Sequence, residues 1–265
     1  MEKPLDPVAH NRAAWDQLVA DGDQWTRPVS PEAVARARTG DWSIVLIGYE
    51  PVDPSWFPPT LTGVDVLCLA AGGGQQGPIL AAAGATVTVF DNSPSQLAQD
   101  DLVAAREGLA ISTVLGDMRD LRAFGDNTFD LIVNPVSNLF CPDLRPVWHE
   151  CHRVLRPGGE LLVGFVNPDV YIFDYVALES RGEFVVRHSL PYSDIADMSA
   201  AERESAFGVN AAVEYSHSMA EQIGGQLAAG FVLTDFRQAP HQSSPTARYL
   251  PGYFATRAVK PGDPG

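Results

Sequence analysis

The stretch Leu67–Ala85, LCLAAGGGQQGPILAAAGA, decides how this chain is read. An apolar run, VDVLCLA (64–70), leads straight into a cluster of glycines. A turn without side chains lets a ligand touch the backbone, with N–H groups turned toward it. As spelled, Gly72-x-Gly74-x-x-Gly77 fits the dinucleotide fingerprint, and Asp91 stands 19 residues after Gly72, about where that fingerprint places its acid. On these residues alone, a dehydrogenase holding NAD through GGGQQG is a fair first reading.

Working outward, four more apolar runs follow: TVTVF (86–90), STVLG (112–116), FDLIVN (129–134) and GELLVGFV (159–166). With helical patterns between them they read as buried parallel strands, covered on both faces. Ligands of such sheets bind beyond the carboxyl ends of the strands. Ser93-Pro94-Ser95-Gln96 spells a capping box with Pro at the first helical position, and Ser218-Met-Ala-Glu221 repeats the box. Gly84 and Gly230 read as helix stops. The last two runs, FVLTDFRQ (231–238) and GYFATRAV (252–259), have no helix between them and are expected to pair antiparallel. Two aromatic-rich stretches stand outside this series, an N-terminal segment 1–60 and an insert 168–217. Both are expected to cover the carboxyl edge as a lid on a domain spanning 61–265.

Composition narrows the function. The chain has 265 residues, 45% of them hydrophobic, which is enough for a sizeable core. A formal net charge of −15, without any basic run, disfavours nucleic acid and suits a neutral or cationic small molecule. No apolar run approaches the roughly 20 residues of a bilayer span. The acidic, polar start is not that of a signal peptide. The three cysteines, Cys68, Cys141 and Cys151, form no C-x-x-C pair and are expected to be free thiols in the cytoplasm. No His/Cys/carboxylate cluster has metal spacing, so no metal is expected.

Taken in order, the motifs resemble the class I S-adenosylmethionine-dependent methyltransferases from about Leu61 to Lys260. VLCLAAGGG stands where that family's glycine motif stands. VTVFDNSPSQL is similar to its second motif, and VLGDMRDL to the segment that holds the adenine. FDLIVNPVSNLF resembles its fourth motif, and HECHRVLRPGGELLVGF the helix, turn and strand that follow. The resemblance implies an α/β, Rossmann-like three-layer sandwich. Its seven-stranded sheet is mostly parallel, with an antiparallel C-terminal pair. The cofactor it implies is S-adenosyl-L-methionine, released as S-adenosyl-L-homocysteine. Two departures are visible: Cys68 stands where the family commonly has an acid, and Ala70 replaces the usual first glycine.

The resemblance places the cofactor against Ala70, Ala71, Gly72 and Gly74, with Gln75 and Gln76 able to supply side-chain amides. Asp91 ends the second strand, where a carboxylate can accept both ribose hydroxyls at roughly 1.5–3 kcal/mol each. Asn92 and Gln96 line the same edge. Asp117 is implied to accept the adenine amino group, and Met118 to pack on the ring. Asn134 and Pro135 end the fourth strand and border the methyl group. Ser137, Asn138, Tyr171 and Tyr192 are candidates for contact with the acceptor. His217 is the candidate general base, although a histidine before the Ser218 cap serves structure equally well. His149 and His152, on the helix before LRPGG, read as packing or exposed residues. The acceptor atom stays open among oxygen, nitrogen and carbon, as does the choice between monomer and homodimer. A non-catalytic S-adenosylmethionine-binding module remains a third reading beside the methyltransferase and the dehydrogenase.

Overall fold

All seven apolar runs become strands of one sheet in the computed structural model, which describes residues 5–262. They are β1 (Asp65–Leu69), β2 (Thr86–Asp91), β3 (Ile111–Leu115), β4 (Phe129–Asn134), β5 (Leu155–Val166), β6 (Val232–Ala239) and β7 (Tyr253–Val259). Their order is β3-β2-β1-β4-β5-β7-β6. The first five run parallel, and β7 is antiparallel to both of its neighbours. The outer ends expected for the two chain regions, residues 1–4 and 263–265, lie outside the described residues.

The helices are α1 (Pro7–Asp21), α2 (Pro31–Arg38), α3 (Gln76–Ala82), α4 (Pro94–Glu107), α5 (Arg145–Val154), α6 (Tyr175–Arg181), α7 (Asp194–Asp197), α8 (Ala200–Phe207) and α9 (Gly225–Ala228). Alternation along β1 explains why both faces of the sheet must be covered. Val66 and Cys68 enter one core, with residues of α2, α3 and α4, while Leu67 and Leu69 enter the other, with α5. All four side chains are fully buried, which demands a three-layer sandwich. Among the described residues no helix is long and apolar enough to cross a membrane.

Local signals behave unequally. The Ser218 box closes: Ser218 N–H donates to Glu221 Oε2 at 2.8 Å, and Glu221 N–H to Ser218 Oγ at 3.2 Å. The helix it opens starts as a π turn, Ala220–Gly224, before α9. The Ser93 box closes by half. Gln96 N–H donates to Ser93 Oγ, but Ser93 N–H goes to Asp91 Oδ1 at 2.9 Å instead of the Gln96 side chain. A carboxylate two residues upstream outcompetes a neutral amide for that N–H. Strand β5 also starts earlier than its apolar run, at Leu155, and takes in the RPGG turn with a register shift against β4. His152 rests edge-on against Phe231, and His149 is exposed.

The N-terminal segment is fastened to the sheet at both flanks. Trp56, 1% exposed, donates its indole N–H to Asp235 Oδ2 of β6 at 2.9 Å. Leu46 crosses β5 so closely that a Cβ on Gly164 would lie 2.3 Å from the Leu46 carbonyl oxygen. Gly164→Ala is therefore expected to lower stability by about 1–3 kcal/mol, read from urea denaturation, because backbone must move.

Asp100 of α4 is fully buried beneath the glycine turn, where Gly74 N–H donates to its Oδ2 at 3.1 Å. Burial pushes this carboxyl up to about 8. The folded state thus holds a proton that the unfolded chain releases near its ordinary acid range, so the stabilisation is complete in acid and fades as pH rises toward 8. Asp100→Asn should flatten the fall in urea midpoint between about pH 5 and 8. An equal fall in both proteins would show that Asp100 is ionised throughout.

Candidate active site

Beyond the carboxyl ends of β1, β2 and β4 lies a cavity of about 820 Å³. The sheet supplies its floor through Ala70–Gly72, Asp91, Gly116–Met118 and Pro135–Ser137. The N-terminal segment supplies Asn11, Trp15, Trp25 and residues 45–49. The insert supplies Tyr171, Phe173, His188, Tyr192, Asp194 and Glu214. A cavity of this size, mostly apolar with a few placed polar groups, is what a ligand site requires.

The glycine turn is built on two side-chain carboxyl groups and a backbone carbonyl, and here the sequence expectation needs correction. Gly72 N–H donates to Asp91 Oδ2 at 3.0 Å, Gly73 N–H to the Gln96 carbonyl at 3.0 Å, and Gly74 N–H to Asp100 Oδ2 at 3.1 Å. These donors face the protein, not a ligand, because β2 and α4 bring acceptors up beneath them. A pyrophosphate at this turn would find three donors already bonded and two acids alongside. Gly74 does not line the cavity. Ala70 adopts the left-handed region, φ +47°, which is why a glycine would be at home there.

Asp91 is held from both sides, by Gly72 N–H on Oδ2 and Ser93 N–H on Oδ1. Burial raises its pKa while these N–H bonds oppose the rise. Each oxygen keeps a further lone pair, and the side chain opens on the cavity. A fixed carboxylate of this kind can take a vicinal diol. Asn92 is committed to α1: Arg12 Nε donates to its carbonyl at 2.9 Å, Arg12 Nη2 to its Oδ1 at 3.0 Å, and its own Nδ2 donates to the Val8 carbonyl. Gln96 is buried with an unpartnered Oε1.

Phe90 near the end of β2 and Met118 after β3, both largely buried, add apolar lining to the cavity. Gly116 makes room for the Phe90 ring, since a Cβ there would lie 2.2 Å from Cζ. Asp117 lines the cavity and already holds Arg119, with Nη2 to Oδ2 at 2.6 Å. Gln75 and Gln76 line the cavity too, but their amide donors turn to the N-terminal segment, reaching the carbonyls of Gln24, Arg27 and Val45. The Asp91 carboxyl, the apolar lining and the cavity volume are compatible with S-adenosylmethionine, and the occupied N–H groups do not fit a dinucleotide.

Three further expectations change. Asn134 is fully buried, donates to the Leu69 carbonyl and Ser137 Oγ, and does not line the cavity, although Pro135 and Ser137 do. Asn138 is likewise buried, bonded to Gln222 Oε1. His217 is 5% exposed and donates Nε2–H to the Cys141 carbonyl at 2.7 Å, outside the cavity lining. Burial lowers its pKa. This geometry gives His217 a structural bond and no route to a ligand's proton.

The inner end of the cavity holds a group of residues that the sequence reading only half found. Tyr171 donates to Glu214 Oε2 at 2.7 Å, and Tyr192 to Asp194 Oδ1 at 2.6 Å. The two rings stack with centroids 5.5 Å apart, and His188 lies 4.7 Å from Tyr192. Burial pushes Glu214 up to about 7, against the Tyr171 hydrogen bond and with the help of Asp194. Glu214 and Asp194 carry no motif. Their one signal is an acid set within an apolar, aromatic stretch such as AAVEYSHS.

Comparison with known proteins gives the same direction. A family model described as a methyltransferase domain matches residues 67–163. An uncharacterized methyltransferase of Bacillus subtilis (strain 168), YbaJ, is 47% identical over 253 residues, covering 96% of this chain and 98% of that one. Two solved structures share the fold. An S-adenosylmethionine-dependent methyltransferase from Mesorhizobium loti has TM-score 0.59 and 17% identity over 77% of this chain and 94% of that one. The 1,6-didemethyltoxoflavin-N1-methyltransferase of Burkholderia thailandensis was solved with 1,6-didemethyltoxoflavin and S-adenosylhomocysteine bound. It has TM-score 0.58 and 18% identity over 98% of this chain and 93% of that one. With the sheet order, the matching family model and a relative matched nearly end to end, this chain belongs to the class I S-adenosylmethionine-dependent methyltransferase family.

Proposed function

We propose that this enzyme methylates a small molecule bound at the inner end of the cavity, beside the cofactor. The observation that carries the reading is continuity. One cavity of about 820 Å³ is lined both by Gly72 and Asp91 and by Tyr171, Tyr192 and Glu214. S-adenosylmethionine supplies the activated methyl group on its sulfonium. In our reading Asp91 accepts the ribose hydroxyls, Asp117 accepts the adenine amino group, and Met118 packs on the ring. Ala70–Gly72 and Gln75–Gln76 border the rest of the cofactor, and Pro135 and Ser137 the methyl. Residues 1–60 and 168–217 act as the lid that excludes water. Holding the acceptor in line with the methyl can itself account for roughly 7–11 kcal/mol of barrier. An acidic cavity favours a cationic cofactor over a phosphate-bearing one, which supports this reading over the dehydrogenase. The net charge of −15 argues against nucleic acid as substrate, and three free, buried cysteines suit the cytoplasm.

Calorimetric titration tests the cofactor. S-adenosylmethionine and S-adenosylhomocysteine are expected to bind and NAD not to, and Asp91→Ala should weaken both by at least about tenfold. Tight NAD binding without a response to the sulfonium compound would restore the dehydrogenase. Arg12→Ala probes the lid by removing the bonds that hold α1 over Asn92. It should weaken S-adenosylhomocysteine binding by about three- to tenfold and speed amide exchange in α1, with the sheet unchanged. An unchanged Kd would separate α1 from cofactor binding.

A further inference from the structure

We propose that Glu214 takes up the proton the acceptor loses on methylation, through the Tyr171 hydroxyl, and that the acceptor presents a hydroxyl or ring N–H on an uncharged aromatic group. The proposal rests on the methyl-transfer reading above.

The backbone carrying Glu214 is unusually well fixed. Val213 N–H donates to Asn11 Oδ1 of α1, Glu214 N–H to Asp194 Oδ2, and Tyr215 N–H to the Leu139 carbonyl, each at 2.8 Å. Three successive donors are thus bound to three separate parts of the fold, one of them the turn that follows β4. The side chain faces the cavity from that anchored position.

The hydroxyls then define the ligand's chemistry. A phenol has one proton, and Tyr171 gives its proton to Glu214. Tyr192 gives its own to Asp194. While Glu214 and Asp194 are ionised, both oxygens can only accept toward a ligand, so the group that meets the base form of the site must be a donor. The stacked rings offer a flat wall for an aromatic body. Among the described residues no Lys, Arg or His lies within ion-pair distance of Glu214. The titratable groups around it are Asp194, Tyr171, Tyr192, Tyr175 and Tyr253, with His188 against Tyr192. A carboxylate or phosphate on the acceptor would be repelled here.

The step balances. The acceptor heteroatom forms its bond to the methyl carbon with its own electron pair, and the pair of the broken carbon–sulfur bond stays on sulfur. The heteroatom's proton passes to Tyr171 Oη as the Tyr171 proton passes to Glu214 Oε2. One positive sulfonium and one carboxylate become a neutral thioether and a carboxylic acid. The affinity of Glu214 for a proton, with its pKa near 7, suits a base working near neutrality.

The test uses 4-nitrophenol, whose ionised form is coloured, added to protein saturated with S-adenosylhomocysteine at about pH 7.5. The wild-type complex should show bound phenolate. Glu214→Gln should lose at least about fivefold of that absorbance, Tyr171→Phe should lose it comparably, and Glu214→Asp should restore part of it. Binding of S-adenosylhomocysteine within about twofold of wild type verifies each variant's fold. Equal phenolate fractions in wild type, Glu214→Gln and Tyr171→Phe, or no binding of the probe to the loaded wild type, would overturn the proposal alone. Failure of S-adenosylhomocysteine to bind wild type would overturn the methyl-transfer reading and this proposal with it.

Discussion

Three consecutive glycine N–H groups ending on acceptors from β2 and α4 are the constraint on which the site depends. They draw β1, β2 and α4 to one point and fix Asp91 at the cavity's edge. They also decide which ligand the turn can serve. A phosphate-binding loop keeps its donors free and its surroundings positive. This turn does the opposite, surrounding itself with acids and directing its N–H groups to protein acceptors. The same glycine spelling therefore supports two chemistries, and the hydrogen-bond partners of the N–H groups distinguish them.

Much of the fold was legible because it depends on periodicity and order. VDVLCLA and FDLIVN could be read as strands since burial on both faces leaves a near-continuous apolar run, broken only by Asp65 and Asp130 near their starts. The antiparallel end followed from the missing helix between the last two runs. Asp91 and Met118 were legible because each follows a strand, and strand ends converge on one edge. Asn134 and Asn138 sit at the same edge, yet their side chains turn inward to Leu69, Ser137 and Gln222. Sequence gives the position of such a residue but not the direction of its side chain.

The insert was the least legible part. Its aromatic residues announce a covering segment, but Glu214 gains its character from burial first and then from Asp194 and Tyr171, 20 and 43 positions away. His217 drew attention because histidine titrates near neutrality. Burial lowers its pKa against the opposing pull of the Cys141 carbonyl, while burial without a cation raises that of a glutamate three residues earlier to about 7. Environment, rather than residue type, sets which group exchanges protons.

Asn11 bonds to the Phe140 and Val213 carbonyls and receives Val213 N–H, joining positions 129 and 202 residues apart. The helix that carries it is synthesised well before these partners, which lie 129 and 202 residues further along the chain. Strands β1 to β5 can pair while synthesis continues, whereas the cavity has no complete wall until the insert arrives. Assembly of the sheet and assembly of the site are thus separate events in the life of the chain. A growing chain stalled before residue 213 would own most of a core but no enclosed cavity.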